Sequence, residues 1–150
     1  MLTPFNVSQV TKAIVTQLRA DHRLTDARIE RSEEVNSIPS QCPWIGVYRQ
    51  SVQYPSRTLG LGTGYRGQRV GVMLLLQQAD PSSGEACEQA LESLVQTVLS
   101  VLMTDSTIGG SVMTIDEIEV QYPDYQKTAD SVFMQTAAIY FTALGGVTAT

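Results

Sequence analysis

The clearest pattern of apolar and polar positions in the chain lies within residues 82–104. Apolar residues recur there with the 3.6-residue period of a helix that buries one face. They are Leu91, Leu94, Val95, Val98, Val101 and Leu102. Ser82 and Glu85 have the Ser-x-x-Glu spacing of a capping box, which marks the start of a helix. The pattern predicts one long amphipathic helix with strand-like sequence on both sides.

The flanking sequence predicts a second helix and several strands. A first helix is expected to start at an Asn6 or Ser8 cap and to end near Ala20, with an apolar stripe at Val7, Val10, Ile14 and Leu18. Alternation and β-branched or aromatic composition predict the strands. These cover residues 27–35 (as a short or edge strand), 44–54, 68–79, 112–122 and 131–143.

Side-chain alternation makes these strand predictions more specific. In residues 44–54 it places Val52 on the face of Trp44 and Tyr48, opposite Ile45 and Val47. The strand at 68–79 is expected to meet the long helix through alternate residues, namely Val70, Val72, Leu74 and Leu76.

Two further features concern the last third of the chain. Within residues 112–122 the alternation slips by one position, which predicts a β-bulge near Asp116 and Glu117. The tail at 145–150 is predicted to be flexible.

The order of these elements indicates the fold class. Strands that come in pairs around a crossing helix are typical of an α+β domain. We therefore expect a single domain over residues 1–150. Its core is one mixed, mostly antiparallel sheet of about four to five strands, with two helices packed on one face.

Composition narrows the functional classes. The longest apolar run, 70–76, is too short to span a membrane. The N-terminus lacks the features of a secretion signal, so we expect the protein inside a cell. The two cysteines, Cys42 and Cys87, are too few for a disulfide scaffold or a zinc site, and we expect both to be buried thiols.

Charge is unevenly distributed along the chain. The net charge of −5 argues against a sequence-specific nucleic-acid binder. Nine of the ten basic residues precede position 70, together with five acids, whereas only Lys127 follows, with ten acids. The two parts therefore carry about +4 and −9. Such a split suits head-to-tail stacking if it places opposite signs on different faces.

The segment 55–67 is the least conventional stretch, with four glycines and no acid. Its glycines resemble a phosphate loop, but such loops lead from a strand into a helix N-terminus, whereas this one leads into a strand. We interpret it as a mobile hairpin arm that either remains a plain loop or orders on a partner. The candidate interface residues in and beside it are Arg57, Tyr65, Arg66 and Arg69.

No residue set in the sequence points to catalysis. The single histidine, His22, follows the first helix in a charged turn, where a solvated role is expected. The acid groups Glu33-Glu34 and Asp116-Glu117-x-Glu119 suit the exposed side of edge strands better than acid–base chemistry. We therefore expect no catalytic residues, no metal and no cofactor.

The layout of the chain carries a resemblance to a known family. The chain opens with the amphipathic stretch VSQVTKAIVTQLRAD and enters a strand through the sequence CPWIGVY at 42–48. A loop-linked hairpin, the long helix at 82–104 and a closing strand pair ending in FMQTAAIYFTA follow in that order. Over nearly the whole chain, this layout resembles the tail terminator (tail completion) proteins of tailed bacteriophages and related prophages.

The resemblance implies a non-enzymatic structural protein of the virion. Such proteins form a ring, usually a hexamer, on the last ring of the tail tube, where they stop tube polymerisation and present the surface that is joined to the head. The implied partners are further copies of the chain, the tail tube protein and a neck or head-completion protein, with no membrane. The implied location is the tail neck of the virion, and the host cytoplasm during assembly.

Two alternatives remain open from the residues alone. One is another neck component, such as a head-closure or connector protein. The other is a small-molecule-binding domain or an enzyme that uses the glycine-rich segment as a lid. A mass in solution separates the first from the second, because neck proteins form rings.

The arm leads to a prediction of its own. We expect Arg57→Glu with Arg66→Glu to leave the circular dichroism spectrum unchanged and to weaken ring assembly or docking on the tube, because arginine pairs well with carboxylates at interfaces. Sizing and electron microscopy are the measurements, with over-long tails that lack heads as the expected image. Normal rings and normal virions from the double variant would show that the arm is a plain loop without a partner.

Overall fold

The computed structural model of the protein describes residues 2–3, 7–31, 43–53, 67–80, 83–105, 108, 114–122, 126–127, 133–146 and 148–149. Two α-helices are present in them, α1 (Val7–Arg19) and α2 (Gly84–Thr104), with a short 3₁₀ helix at His22–Leu24. The strands are β1 (Leu2–Thr3), β2 (Arg28–Arg31), β3 (Trp44–Gln53), β4 (Gly67–Asp80), β5 (Thr114–Gln121), β6 (Gln126–Lys127), β7 (Phe133–Gly146) and β8 (Thr148–Ala149).

One mixed sheet organises the fold. Its strand order is β2-β3-β4-β7-β5, and the two-residue strand β6 also pairs with β7. β2 runs parallel to β3, while every other pair in this sheet is antiparallel. β1 and β8 form a separate antiparallel pair that joins the two ends of the chain. The predicted α+β class, with a mixed and mostly antiparallel sheet of five main strands, is confirmed.

The core lies against one face of the sheet, and β4 is at its centre. Val70, Val72, Leu74 and Leu76 are all buried, as the alternation predicts. Strand register sets all of them except Val72, which pairs with Arg49 in β3, between apolar neighbours, and Leu74 lies between Val47 of β3 and Ile139 of β7. Since neighbouring strands are about 4.8 Å apart, these side chains pack directly on one another.

Both helices contribute to the same hydrophobic cluster. α1 packs on β2 and β3, and α2 packs on β4 and β7. Every predicted apolar position of α2 is buried, and so are Val10, Ile14 and Leu18 of α1. A polar contact also joins the helices, because the Gln17 side-chain amide donates to Val101 O at 2.9 Å and to Asp105 O at 3.4 Å. It thereby satisfies carbonyls that the end of α2 leaves without helical partners.

The chain leaves α2 through a strained residue. Ile108 has a φ of 50°, which a β-branched side chain rarely adopts. Its side chain is fully buried in the core cluster, and its amide donates to Asp105 O at 3.1 Å. Burial of the isoleucine offsets a backbone cost of about 1–3 kcal/mol.

Several details of the sequence-based prediction are wrong. The N-cap of α2 is Ser83 rather than the predicted Ser82, because Ser83 is extended and its Oγ accepts from Ala86 N, whereas Ser82 lies outside the described residues. Ser8 lies inside α1, which leaves Asn6, outside the described residues, as the remaining predicted cap. Val52 faces the core, because a register shift between Arg49 and Ser51 reverses its side.

The ends of the last strand also differ from the prediction. β7 continues to Gly146 because it pairs with β4 as far as Gly67, and Thr148–Ala149 pairs with the N-terminus. Residues 145–146 and 148–149 are therefore paired in strands, and the flexibility of the tail at 145–150 stays a prediction. The bulge near Asp116 and Glu117 is confirmed by a register shift between Asp116 and Glu119.

The structure describes only one of the two cysteines. Cys87 is buried, as predicted, and its thiol donates to Gln78 O at 3.3 Å. Cys42 lies outside the described residues.

The buried face of α2 can be tested directly. We expect Leu94→Asp or Val98→Asp to prevent soluble expression, since burying an unpaired carboxylate costs several kcal/mol, comparable with the stability of a domain. Ser93→Asp and Gln96→Glu, on the exposed side, should shift the melting temperature little. Similar damage from both pairs would contradict this assignment of faces.

Candidate protein-binding surface

Of the four candidate interface residues, the structure places only Arg69. Arg57, Tyr65 and Arg66 lie outside the described residues, together with most of the predicted arm. Arg69 is in β4, between Gln53 of β3 and Leu144 of β7. The interface role of the four residues stays a prediction.

Arg69 reaches across β7 to the bulge in β5. Its Nη2 lies 3.8 Å from Glu117 Oε1, and Thr142 Oγ1 donates to the other carboxylate oxygen at 3.5 Å. Glu117 has a φ of 56°, and its amide donates to Asp116 Oδ1 at 2.8 Å. The side chains of Arg69 and Glu117 are 43% and 65% exposed, so their ion pair contributes little to stability.

The face of the sheet away from the core cluster carries a row of large side chains. Tyr48 of β3, Met73 of β4 and Tyr140 of β7 are neighbours in register, and Glu119 of β5 ends the row. The next row along the strands contains Leu75. We call the surface of Tyr48, Met73, Leu75 and Tyr140 the outer face. All four side chains are half-buried.

The Trp44 indole supports one end of the outer face. It lies over Gly46, where an added Cβ would be 2.8 Å from Trp44 Cζ2 and equally close to Tyr48 Cε2. The indole nitrogen donates to Glu30 Oε2 at 3.4 Å, and Arg28 Nε donates to the other oxygen of Glu30. An ion pair on β2 therefore fixes the aromatic pair on β3.

The Tyr48 hydroxyl remains neutral in this position. Partial burial raises the pKa of Tyr48 above its ordinary value, and the nearby negative charge of Glu30 raises it further. The Tyr48 side chain is therefore an uncharged phenol throughout the physiological pH range. The outer face thus presents apolar area together with uncharged polar groups, which is typical of the centre of a protein interface.

A second apolar patch lies on the solvent side of α2. A shallow groove there is lined by Gln96, Leu99, Ser100, Met103 and Thr104. Met103 is 65% exposed, which is high for so large an apolar side chain. Nothing in the sequence singles out Met103, because it follows Gln96 and Ser100 at helical spacing on the polar side of the helix.

Sequence reasoning also missed the outer face. The alternation of each strand shows that Tyr48, Met73 and Tyr140 lie away from the core, but their meeting depends on the pairing of three strands. The only signal in the sequence was that these tyrosines and this methionine stand at alternate positions of their strands.

The described residues offer few groups for chemistry. His22 is exposed in the 3₁₀ helix, as expected for a solvated histidine. Among the described residues, no three His, Cys, Asp or Glu side chains are arranged to hold a metal ion. Within the same ranges, no helix is both long and apolar enough to cross a membrane.

The comparisons with known proteins give no family. The chain matches no protein-family model, and no curated protein is significantly similar to it in sequence. The resemblance to tail terminators therefore remains an expectation drawn from the layout of the chain. The geometry of the outer face is the remaining basis for a functional proposal.

Close packing of Trp44 on Gly46 can be tested with the only tryptophan of the chain. We expect Gly46→Ala to displace the indole, to shift its fluorescence to longer wavelength and to lower the free energy of unfolding by about 1–3 kcal/mol. Gly71→Ala is the matched control, since the added Cβ meets only the movable Ser51 hydroxyl. Identical emission spectra for Gly46→Ala and the wild type would contradict the packing described.

Proposed function

We propose that the protein is a structural protein that works through protein–protein contacts, as a tail terminator of a tailed bacteriophage. The outer face is the observation that carries this proposal. Half-buried tyrosines and a methionine from three adjacent strands form a continuous apolar surface there. Tyrosine and methionine are enriched at protein interfaces, and extended apolar patches mark binding surfaces.

Charged groups border this apolar surface in the way that an interface rim does. Glu119 ends the row of Tyr48, Met73 and Tyr140 on the β5 side, and Arg28 and Glu30 lie beyond Trp44 on the β2 side. A rim of charges around an apolar centre favours one docking orientation over others. This arrangement supports a binding module with a macromolecular partner.

The layout of the chain supports the more specific identity. The opening helix, the strand entered through Trp44, the β3–β4 hairpin, the long α2 and the closing β5–β7 pair follow in the order on which the resemblance to tail terminators rests. In this role, copies of the chain form a ring, usually a hexamer, on the last ring of the tail tube. The ring stops polymerisation of the tube and provides the surface that joins the head.

The proposed partners follow from that role. They are further copies of the chain, the tail tube protein and a neck or head-completion protein, and the proposed location is the tail of the virion. The outer face is covered by one of these proteins in the assembled particle. No enzymatic step is part of the proposed function.

The proposal predicts the mass of the protein in solution and the appearance of particles that lack it. In solution we expect rings close to six times the 16.4 kDa chain mass, measured by light scattering after sizing. Particles produced without the protein should have over-long tails that lack heads. Tails of normal length without heads would instead favour a head-closure protein, and a monomer at every concentration would favour a small-molecule-binding domain.

Met73→Glu tests the outer face itself. The substitution puts a charge in the middle of the apolar row, so we expect a folded protein that restores roughly 30-fold fewer infectious particles, the loss typical of an interface hot spot of about 2 kcal/mol. Gln89→Glu adds the same charge at an exposed position on α2, away from the outer face, and should have little effect. Equal particle yields from both variants would show that the outer face contacts no partner.

A further inference from the structure

A cavity of about 310 Å³ lies between the turn that follows the 3₁₀ helix and the side of α2. Its apolar lining consists of Leu24, Ala27, Pro43, Ala90 and Leu94. Leu24 and Leu94 are buried, so they form its floor. Both belong to the core cluster, on the helix-covered side of the sheet. The cavity is therefore separate from the outer face, and the contact proposed for that face does not account for it.

Backbone hydrogen bonds hold one wall of the cavity in place. Ala27 N donates to Leu24 O at 3.1 Å, which closes the turn that contains Asp26. Arg28 N donates to Pro43 O at 2.9 Å, and this bond ties the turn to the chain just before β3. The opposite wall is the regular helix α2. The cavity is thus formed before any ligand arrives, as binding pockets usually are.

The cavity carries one unpaired negative charge. Of the described residues that line it, only Arg23 and Asp26 are charged. Arg23 Nε and Nη2 donate to the two carboxylate oxygens of Asp21 at 3.0 and 2.9 Å. These hydrogen bonds lower the pKa of Asp21 to about 2, so Asp21 is ionised at neutral pH and neutralises Arg23. Asp26 is exposed and forms no ion pair with the described residues.

An apolar floor beside one carboxylate defines the chemistry of an occupant. A cation on an apolar stem satisfies both, because the stem covers Leu24 and Leu94 while the charged head stays at the wet rim beside Asp26. Gln78 and Ser93, which also line the cavity, offer uncharged acceptors. Several acceptors around one carboxylate suit a guanidinium, with its five fixed donors, better than a compact ammonium.

We propose that this cavity receives an arginine side chain of a partner protein. Its volume is at the lower limit of ligand pockets, about 300 Å³, which suits a single side chain. Asp26 and Ser93 are exposed, so the cavity opens to solvent and does not enclose a ligand. Since Asp26 is the one unpaired charge of the described lining, no second charged group is available for the far end of a free metabolite. The inference concerns a second contact and does not rest on the proposed ring or on the outer face.

Nuclear magnetic resonance titration with N-acetyl-arginine amide tests the proposal, because this probe carries the arginine side chain without a charged backbone. We expect shift changes confined to amides around residues 23–27, 78 and 90–97, with a Kd on the order of 1 mM. N-acetyl-citrulline amide is the matched control, since its urea group has the shape of a guanidinium without the charge. It should bind about five-fold more weakly. No binding, shifts elsewhere, or equal binding of the two amides would overturn the proposal.

Asp26→Asn removes the charge of the rim and keeps its shape. We expect this variant to bind the arginine probe about five-fold more weakly than the wild type, and to bind the two amides equally. Glu92→Gln removes an exposed acid of α2 outside the cavity and should bind like the wild type. Equal losses in the two variants would mean that the probe responds to net charge rather than to the cavity, and the proposal would fail.

Ala90→Leu tests the apolar floor by filling the cavity from α2, where leucine is a good helix former. We expect both amides to lose measurable binding. If the circular dichroism spectrum of this variant is not that of the folded protein, Ser93→Leu fills the cavity from an exposed position instead. A folded, filled variant that binds the arginine probe as the wild type does would contradict the assignment.

Agmatine distinguishes a free small molecule from a protein side chain. It has a guanidinium at one end and an ammonium at the other, and a site built for a free amine would recognise both ends. We expect agmatine to bind no more than about five-fold tighter than N-acetyl-arginine amide, because the described rim has one unpaired carboxylate. A larger gain would assign the cavity to a free amine and overturn the protein partner.

Discussion

Contact between the central strand and its two neighbours is the interaction on which the rest of the structure depends. Leu74 lies between Val47 and Ile139, and Leu76 likewise lies between Ile45 and Ala137. Both helices pack against the cluster that these side chains belong to, α1 beside β2 and β3 and α2 beside β4 and β7. A slip of one residue in β4 would turn all of these side chains to the opposite face, so the apolar alternation of this strand fixes the fold.

The parts of the fold that depend on local pattern could be read from the sequence. The period of α2, the alternation of β4 and the slipped alternation around Asp116 identified their elements correctly, because each involves neighbours along the chain. The face of the sheet on which Val52 lies could not be predicted, since the register shift before it arises from the pairing with β4. The cap of α2 was misplaced because two adjacent serines are equally suitable chemically, and only the backbone conformation distinguishes them.

The surfaces proposed for assembly required three-dimensional information of a different kind. The unequal charge of the two parts of the chain was visible in the sequence, but the contact of α1 with α2 shows that these parts are not separate surfaces. The outer face depends on which residues of three strands become neighbours. One face of the sheet joins the core cluster, while the other face carries the tyrosines and the methionine to which the proposed function assigns a contact.

The pairing of β1 with β8 has a practical consequence for work on an assembly. Leu2 lies beside Ala149, and Thr3 beside Thr148, so the first and last described residues lie side by side. A gold cluster, fluorophore or affinity tag attached to either end would mark the same point of each subunit. Adjacent ends also suit circular permutation, in which the old termini are joined and new ones are opened elsewhere. Neither β1 nor β8 belongs to the strands that form the outer face, so a label at this place leaves the side chains of that face unaltered.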